Sequence, residues 1–425
     1  MRREAVRRAA PLVALLAAAG CGGGGEPFRI GVIVDCEGIN RPLERAETAA
    51  AALPLVGRGA RVGGNPGAGG IGAARVAGRD VELVRGCTEI YELATLTREV
   101  RRLVENERVD AVVAGTGGPD QIVLRDLARR YPGVPVVLAG PGPRAATGQR
   151  PAPNVFRFAA DHGQAAAGLA ERAYRDLGWR RVALVAANWD AGWDGRAAFA
   201  AGFCALGGEV AANIAPDRFD PRGRDVAEVP VGVDGVAVFT TAFFGPEAFL
   251  RRLARRMRDP GERVLLGAGI ADDEALLRST RDALEGAGAV SLVDPAARRR
   301  YLRAFADAFP AVPRDVAATG AVAGFHDAVE ALLAGLERAR GRVERLPAEL
   351  ARLRVELLAG TVRLGPRRQA VLDARVVRIE NGTGMRLLRT LNNVDTTLGG
   401  RLPATRASTS EPPACGPSPR LRSSR

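Results

Sequence analysis

The stretch Phe28-Arg29-Ile30-Gly31-Val32-Ile33-Val34 decides the fold. It reads as a short apolar strand, and Leu43 to Val56 follows it with the pattern of a helix. The alternation then continues: strand at Val81 to Val84, helix at Leu93 to Val104, strand at Val109 to Ala114, helix at Ile122 to Tyr131, strand at Val134 to Leu138. Short apolar runs alternating with helical patterns are the mark of βαβ units and a parallel sheet. Right-handed crossovers put helices on both of its faces.

A second series begins after Asn154-Val155-Phe156-Arg157-Phe158, an extended piece suited to crossing between lobes. Gln164 to Leu177 reads as helix, Arg181 to Ala186 as strand, Arg196 to Leu206 as helix, Gly235 to Thr240 as strand and Pro246 to Arg256 as helix, closing at Val264 to Gly267. Helices at Ala296 to Phe309, Val316 to Arg340 and Pro347 to Leu358 follow, then strands at Ala374 to Ile379 and Met385 to Leu391. A third section of this length is expected to return to the first lobe and cross again. The expected fold is therefore α/β, with two doubly wound parallel-sheet lobes joined by a multi-strand hinge. Lobe 1 takes 28–155 plus about 292–372, and lobe 2 takes 156–291 plus about 373–400.

The ends set the compartment. Arg2, Arg3, Arg7 and Arg8 precede an uncharged run from Ala9 to Ala19 that stops at Gly20-Cys21, which is signal-peptide architecture over 1–20. The run is far shorter than the roughly 20 residues that span a bilayer. Leu16-Ala17-Ala18-Ala19-Gly20-Cys21 resembles a lipobox, so Cys21 is the expected lipidation site and 21–27, with Gly22 to Gly25, a flexible tether. The tail 401–425, rich in Pro, Ser and Arg, is expected to be disordered.

The formal charge of +13 needs discounting, because all 61 basic residues are arginine and the two ends carry a disproportionate share. The arginines are scattered beside Glu and Asp along helix-like segments, which argues against a nucleic-acid partner. Export permits disulfides. Cys36 and Cys87 each follow a strand-like run, so neighbouring strands would bring their sulfurs together, whereas Cys204 and Cys415 look unpaired.

Phe28 to Asp35, Val76 to Val84 and Asp110 to Thr116, followed by Val134 to Leu138, Asn154 to Arg157 and Arg180 to Val185, carry a family resemblance. Their order and spacing resemble the type I periplasmic binding proteins of branched-chain amino acid ABC importers, the leucine/isoleucine/valine-binding type, over about Phe28 to Gly400. Open α/β sheets bind ligands at the carboxyl ends of their strands. In lobe 1 that rule selects Cys36 to Asn40, Thr116-Gly117-Gly118 and Gly140 to Arg144, including Gly142. In lobe 2 it selects Asn188 to Asp194, Thr240 to Phe244, including Thr241, and Ala268 to Asp273. The resemblance implies a carboxylate-binding hydroxyl at Thr116, aromatic walls at Trp193 and Phe243, and an ammonium-binding acid at Asp272 or Asp273. Trp189 and Phe244 are placed equally well in the pocket or against their own lobe, and Glu37, Asp190 and Asp194 read equally as helix caps or hinge contacts. Gly140-Pro141-Gly142-Pro143 departs from the family pattern, since proline offers no N–H.

Gly67-Ala68-Gly69-Gly70-Ile71-Gly72 matches a dinucleotide fingerprint only literally; it does not lie between a strand and a helix and reads as a surface loop. His162 and His326 have neither metal-ligand spacing nor a nucleophile-elbow partner, so no metal, cofactor or catalysis is expected. What the resemblance implies is an exported lipoprotein at the outer face of the cytoplasmic membrane or facing the periplasm. It would bind a small polar solute, an amino acid or related compound, between its lobes and deliver it to an ABC permease. The alternative is a sensory receptor acting through a separate signalling partner.

Overall fold

The computed structural model describes residues 26–63, 71–115 and 117–403, with 409, 411 and 415. The expected leader, the lipobox with Cys21, the Gly22 to Gly25 tether, Thr116 and most of the tail lie outside the described residues.

Fifteen strands form two sheets among the described residues. The first contains β1 (Phe28–Asp35), β2 (Ala74–Val76), β3 (Arg79–Thr88), β4 (Ala111–Ala114), β5 (Val136–Leu138) and β6 (Val155–Phe156), in the order β2-β3-β1-β4-β5-β6. β1 lies parallel between β3 and β4, with Ile30 beside Leu83 and Ala111. Phe28, Ile30, Val32 and Val34 enter one core and Ile33 the opposite one, so the strand is apolar on both faces because helices cover both. Burying each such side chain contributes about 1.5–3 kcal/mol.

The second sheet holds β7 (Arg181–Ala186), β8 (Glu209–Ile214), β9 (Gly235–Phe239), β10 (Val264–Leu266), β11 (Gly288–Ser291), β12 (Arg354–Leu357), β13 (Gly360–Leu364), β14 (Ala370–Glu380) and β15 (Gly384–Val394). Its order is β12-β13-β14-β11-β10-β9-β7-β8, with β15 paired to β14. Strands β7 to β11 run parallel, and β14 joins β11 antiparallel. Helices Pro295–Ala308 and Gly320–Arg338 return to the first lobe and pack on helix Glu44–Val56. Arg58 fastens that contact to Glu330 at 2.7 Å and Glu337 at 3.0 Å.

Three sequence expectations need correcting. The helix expected over Pro347 to Leu358 stops at Arg352, and Arg354–Leu357 is β12, which extends the second sheet. The helix expected from Gln164 to Leu177 is broken at Gly168, whose φ of +75° is a conformation open to glycine and strained for other residues. Cys204 and Cys415, expected to be unpaired, are joined in a disulfide with Cα atoms 5.2 Å apart. That bond draws the described tail residues onto the second lobe, where Arg196 donates to the carbonyls of Thr409 (3.2 Å) and Glu411 (3.4 Å).

Cys36 and Cys87 are bonded to each other, 5.5 Å apart at Cα, as adjacent parallel strands β1 and β3 place them. Of the glycine run 67–72, residues 67–70 lie outside the described residues; within it Ile71 forms an antiparallel bridge with Val62.

The crossing after β6 is built around a buried arginine. Arg157 is fully buried and donates to Gln369 Oε1 (2.6 Å), Gln121 Oε1 (3.0 Å), the Pro143 carbonyl (3.0 Å) and Thr147 Oγ1 (3.2 Å). Its backbone N–H donates to the Arg368 carbonyl, and Gln369 Nε2 reaches the Ala159 carbonyl at 2.8 Å. Two chain crossings are thus tied side by side by a buried polar network in which each partner is satisfied.

Candidate functional site

The carboxyl ends of β1, β3, β4, β9 and β10 face one cleft of about 420 Å³ between the lobes. That volume suits a small solute. Lobe 1 contributes Asp35 at the end of β1, Ile90 and Tyr91 after β3, and Gly115, Gly117 and Gly118 after β4. Lobe 2 contributes Trp189 and Asp190 after β7, Thr240 to Phe244 after β9, and Gly267 to Gly269 after β10. Helices Pro295–Ala308 and Gly320–Arg338 close a further side with Tyr301 and Gly320.

The lobes touch across the cleft through Tyr91 and Trp189, whose ring centroids are 4.9 Å apart. Trp189 is the residue before helix Asp190–Ala205, and its extended backbone sends the ring away from that helix. The same helix start carries Asp190, whose Oδ2 lies against Gly118 at the start of the lobe 1 helix Gly118–Ala128.

The sequence-predicted residues separate into two groups. Gly117, Thr241, Phe243 and Asp272 lie on the cleft wall. Phe243 stacks edge-on to Phe244 at 5.1 Å, with the Arg218 guanidinium 5.8 Å from its ring centre. Both Asp272 oxygens are already engaged, by Ser291 Oγ (2.5 Å) and the Leu292 N–H (2.9 Å), so this carboxylate braces its own lobe. Trp193 does not line the cleft: its Nε1 folds back to donate to Asn188 Oδ1 at 2.9 Å. Gly142 is also off the wall, bridged to Asp161 and packed on Gln121. Thr116 lies outside the described residues.

Sequence reasoning missed Asp35, Glu47 and Tyr91 as wall residues, and left Trp189 and Asp190 undecided between site and scaffold. One signal was available for Asp35, the charged residue that terminates an apolar strand run at the binding edge.

The electrostatics of this wall are unusual. Asp35 is 3% exposed; its Oδ2 accepts from Asn40 at 2.8 Å and its Oδ1 has no partner. Burial, reinforced by Glu89, pushes its carboxyl up to about 6. Glu47, whose Oε2 accepts the Asp35 N–H at 3.0 Å, is held well above the usual carboxylate range by burial and then by Asp35. Asp190 is pushed up to about 7 by burial and by Asp194. Behind Tyr91, Asp120 accepts its N–H at 3.1 Å, and burial raises that carboxyl to about 6. The Tyr91 phenol is itself raised, first by burial and then by Asp190, Asp120 and Asp35.

Positive charge is sparse. Arg298, the one guanidinium on the wall among the described residues, lies 3.6 Å from the Glu274 carboxylate. Burial and Arg157 push His162 down to about 3, so its imidazole is neutral. No helix among the described residues is long and apolar enough to cross a membrane.

Comparison with known proteins agrees with this architecture. An ABC transporter substrate-binding protein from Sphaerobacter thermophilus superposes with a TM-score of 0.73 at 22% identity, covering 87% of this chain and 99% of that one. A solute-binding protein of an ABC transporter from Rhodopseudomonas palustris HaA2, in complex with p-hydroxybenzoic acid, gives 0.70 at 17% identity, covering 87% and 98%. A branched-chain amino acid transporter substrate-binding protein from Streptococcus pneumoniae, in complex with isoleucine, gives 0.64 at 16%, covering 86% and 99%. No curated protein sequence is similar enough to be matched. The family model described as "Periplasmic binding protein" matches residues 27–384, and the chain therefore belongs to the periplasmic binding proteins.

Proposed function

We propose that this protein is the extracytoplasmic solute-binding component of an ABC-type importer, tethered to the membrane through a lipid on Cys21. It holds one small polar solute, an amino acid or a related compound, between its lobes and presents the closed form to the permease; no bond is made or broken. The observation that carries this reading is the cleft itself. It is about 420 Å³ in volume, lined from both lobes at the carboxyl ends of parallel strands, and bounded by the Tyr91–Trp189 ring contact from one lobe to the other. Closure needs a ligand with higher affinity for the closed form, and a site assembled from two lobes supplies that difference.

A thermal-shift screen of the purified protein against amino acids, small carboxylates, amides and amines tests the reading. A concentration-dependent rise in melting temperature with one chemical class is the expected result. A flat response to all of them, in a protein with a cooperative unfolding transition, would contradict it. For the anchor, intact-mass analysis of membrane-extracted protein should find a chain beginning at a diacylated Cys21; a soluble, unmodified cysteine would refute it.

A further inference from the structure

One helix of the second lobe meets the first lobe at successive points. Helix Asp190–Ala205 carries Asp190 and Asp194 one turn apart on the same face. Asp194 is 3% exposed and lies off the cleft wall, and its Oδ2 accepts the backbone N–H of Arg144 at 2.8 Å. Arg144 belongs to the crossing region, because its guanidinium donates to the carbonyls of Thr396 (3.2 Å) and Pro403 (2.9 Å), beyond β15. One turn earlier, on the cleft wall, the Asp190 carboxylate lies against Gly118, and the residue before it, Trp189, meets Tyr91.

Among the described glycines of the cleft wall, Gly118 alone has its open side filled from the opposite lobe. A methyl on Gly115 would strike Phe325, one on Gly117 would strike Ile90 and Tyr91, and one on Gly267 would strike Phe239, each within its own lobe. A methyl on Gly118 would find the Asp190 carboxylate in its place, with Cγ 2.5 Å and Oδ1 3.0 Å away and Oδ2 nearer still. Those separations lie well inside the roughly 3.5–4.0 Å of ordinary carbon contacts. The backbone makes no such demand. Gly118 is not in the left-handed region, and it opens helix Gly118–Ala128, where alanine is the better helix former. What requires glycine here is the close approach of the other lobe.

We propose that Gly118 and Asp190 are positioning residues that set how far the lobes close, and thereby how tightly any solute is held. This rests on the solute-binding reading above and deepens it. The Asp194–Arg144 hydrogen bond is the pivot beside the crossing, and the Asp190 carboxylate seated on Gly118 is the stop at the cleft. The chain itself therefore makes the closed contact before a solute adds its own. A side chain at 118 keeps the lobes apart, and the apparent affinity for a solute falls in proportion to the closed population.

Closure can be read without a solute by cross-linking the purified, ligand-free protein with bismaleimidobutane through the reporter pair Tyr91→Cys and Trp189→Cys. The four described native cysteines are paired and do not compete. The reporter protein is expected to cross-link, and Gly118→Ala to slow the reaction roughly tenfold or more. With Asp190→Ala already present, which removes the obstructing carboxylate, Gly118→Ala should slow it less than about twofold. The urea midpoint of Gly118→Ala should match that of the parent. A rate unchanged by Gly118→Ala, or an equal slowing with and without the Asp190 carboxylate, would overturn the inference. So would a reporter protein that never cross-links, or a clearly lowered urea midpoint, which would place the effect of the methyl inside lobe 1. Because no solute is added, each of these results leaves the solute-binding reading to the screen above.

Discussion

Replacing Asp35 with asparagine should stabilise the ligand-free protein, and only at high pH. In the folded state burial holds this carboxyl at about 6 against an ordinary value of 3.8. That shift of roughly two pH units corresponds to about 3 kcal/mol, at about 1.4 kcal/mol per unit. The sign follows from proton uptake. The folded chain holds the Asp35 proton where the unfolded chain has released it, so stability is full below about pH 4, declines as pH rises towards 6 and stays lower above that. Asparagine never ionises and escapes the penalty, while its Oδ1 still accepts from Asn40. Urea unfolding at pH 8 should give the variant about 2–3 kcal/mol more stability, and the difference should vanish near pH 4. An equal or lower stability for Asp35→Asn at pH 8, or a gain of the same size at both pH values, would refute the view that an uncompensated charge is buried there.

Trp189→Ala should reduce solute affinity at least tenfold by removing the ring that meets Tyr91, whereas Trp193→Ala should change it less than threefold; calorimetry on the two variants separates them. Arg157→Ala should cost roughly 3–5 kcal/mol in urea unfolding, because Gln121 and Gln369 lose buried partners and a cavity opens. Arg157→Met, which restores volume but no donors, should recover only part of that loss. Opening the Cys204–Cys415 bond by Cys415→Ser should lower stability by about 2–5 kcal/mol, since the bond closes a loop of more than 200 residues. It should also expose the tail to limited proteolysis, and a tail no more accessible than in the parent would count against the docking seen here.

The alternating strands and helices were legible because burial on both sheet faces writes a continuous apolar run, as in Phe28 to Val34 and Arg181 to Ala186. β12 was not, since Arg354-Val355-Glu356-Leu357 alternates polar and apolar residues directly after a helix and reads as its continuation. Gly168 looks in sequence like one more small residue in a helix; only its left-handed backbone breaks that helix. At the site, the strand-end rule selects loops that reach the cleft, but only some of the side chains it singles out lie on the wall. Trp189 and Trp193 are one helical turn apart. The extended residue before the helix points across the cleft, while the other folds back on Asn188. Whether Asp272 is free or engaged depends on Ser291 and Leu292, which β11 brings alongside from nineteen and twenty residues later in the chain. The charge imbalance of the wall is likewise a property of assembly. Asp35, Asp120 and Asp190 lie far apart in sequence and meet only around Tyr91.

The most direct test of the central claim is calorimetric titration of the purified protein with amino acids, small carboxylates, amides and amines in turn. One saturable site per chain for one chemical class is the predicted result. No saturation with any of them, in a protein with a cooperative unfolding transition, would contradict a solute-binding cleft.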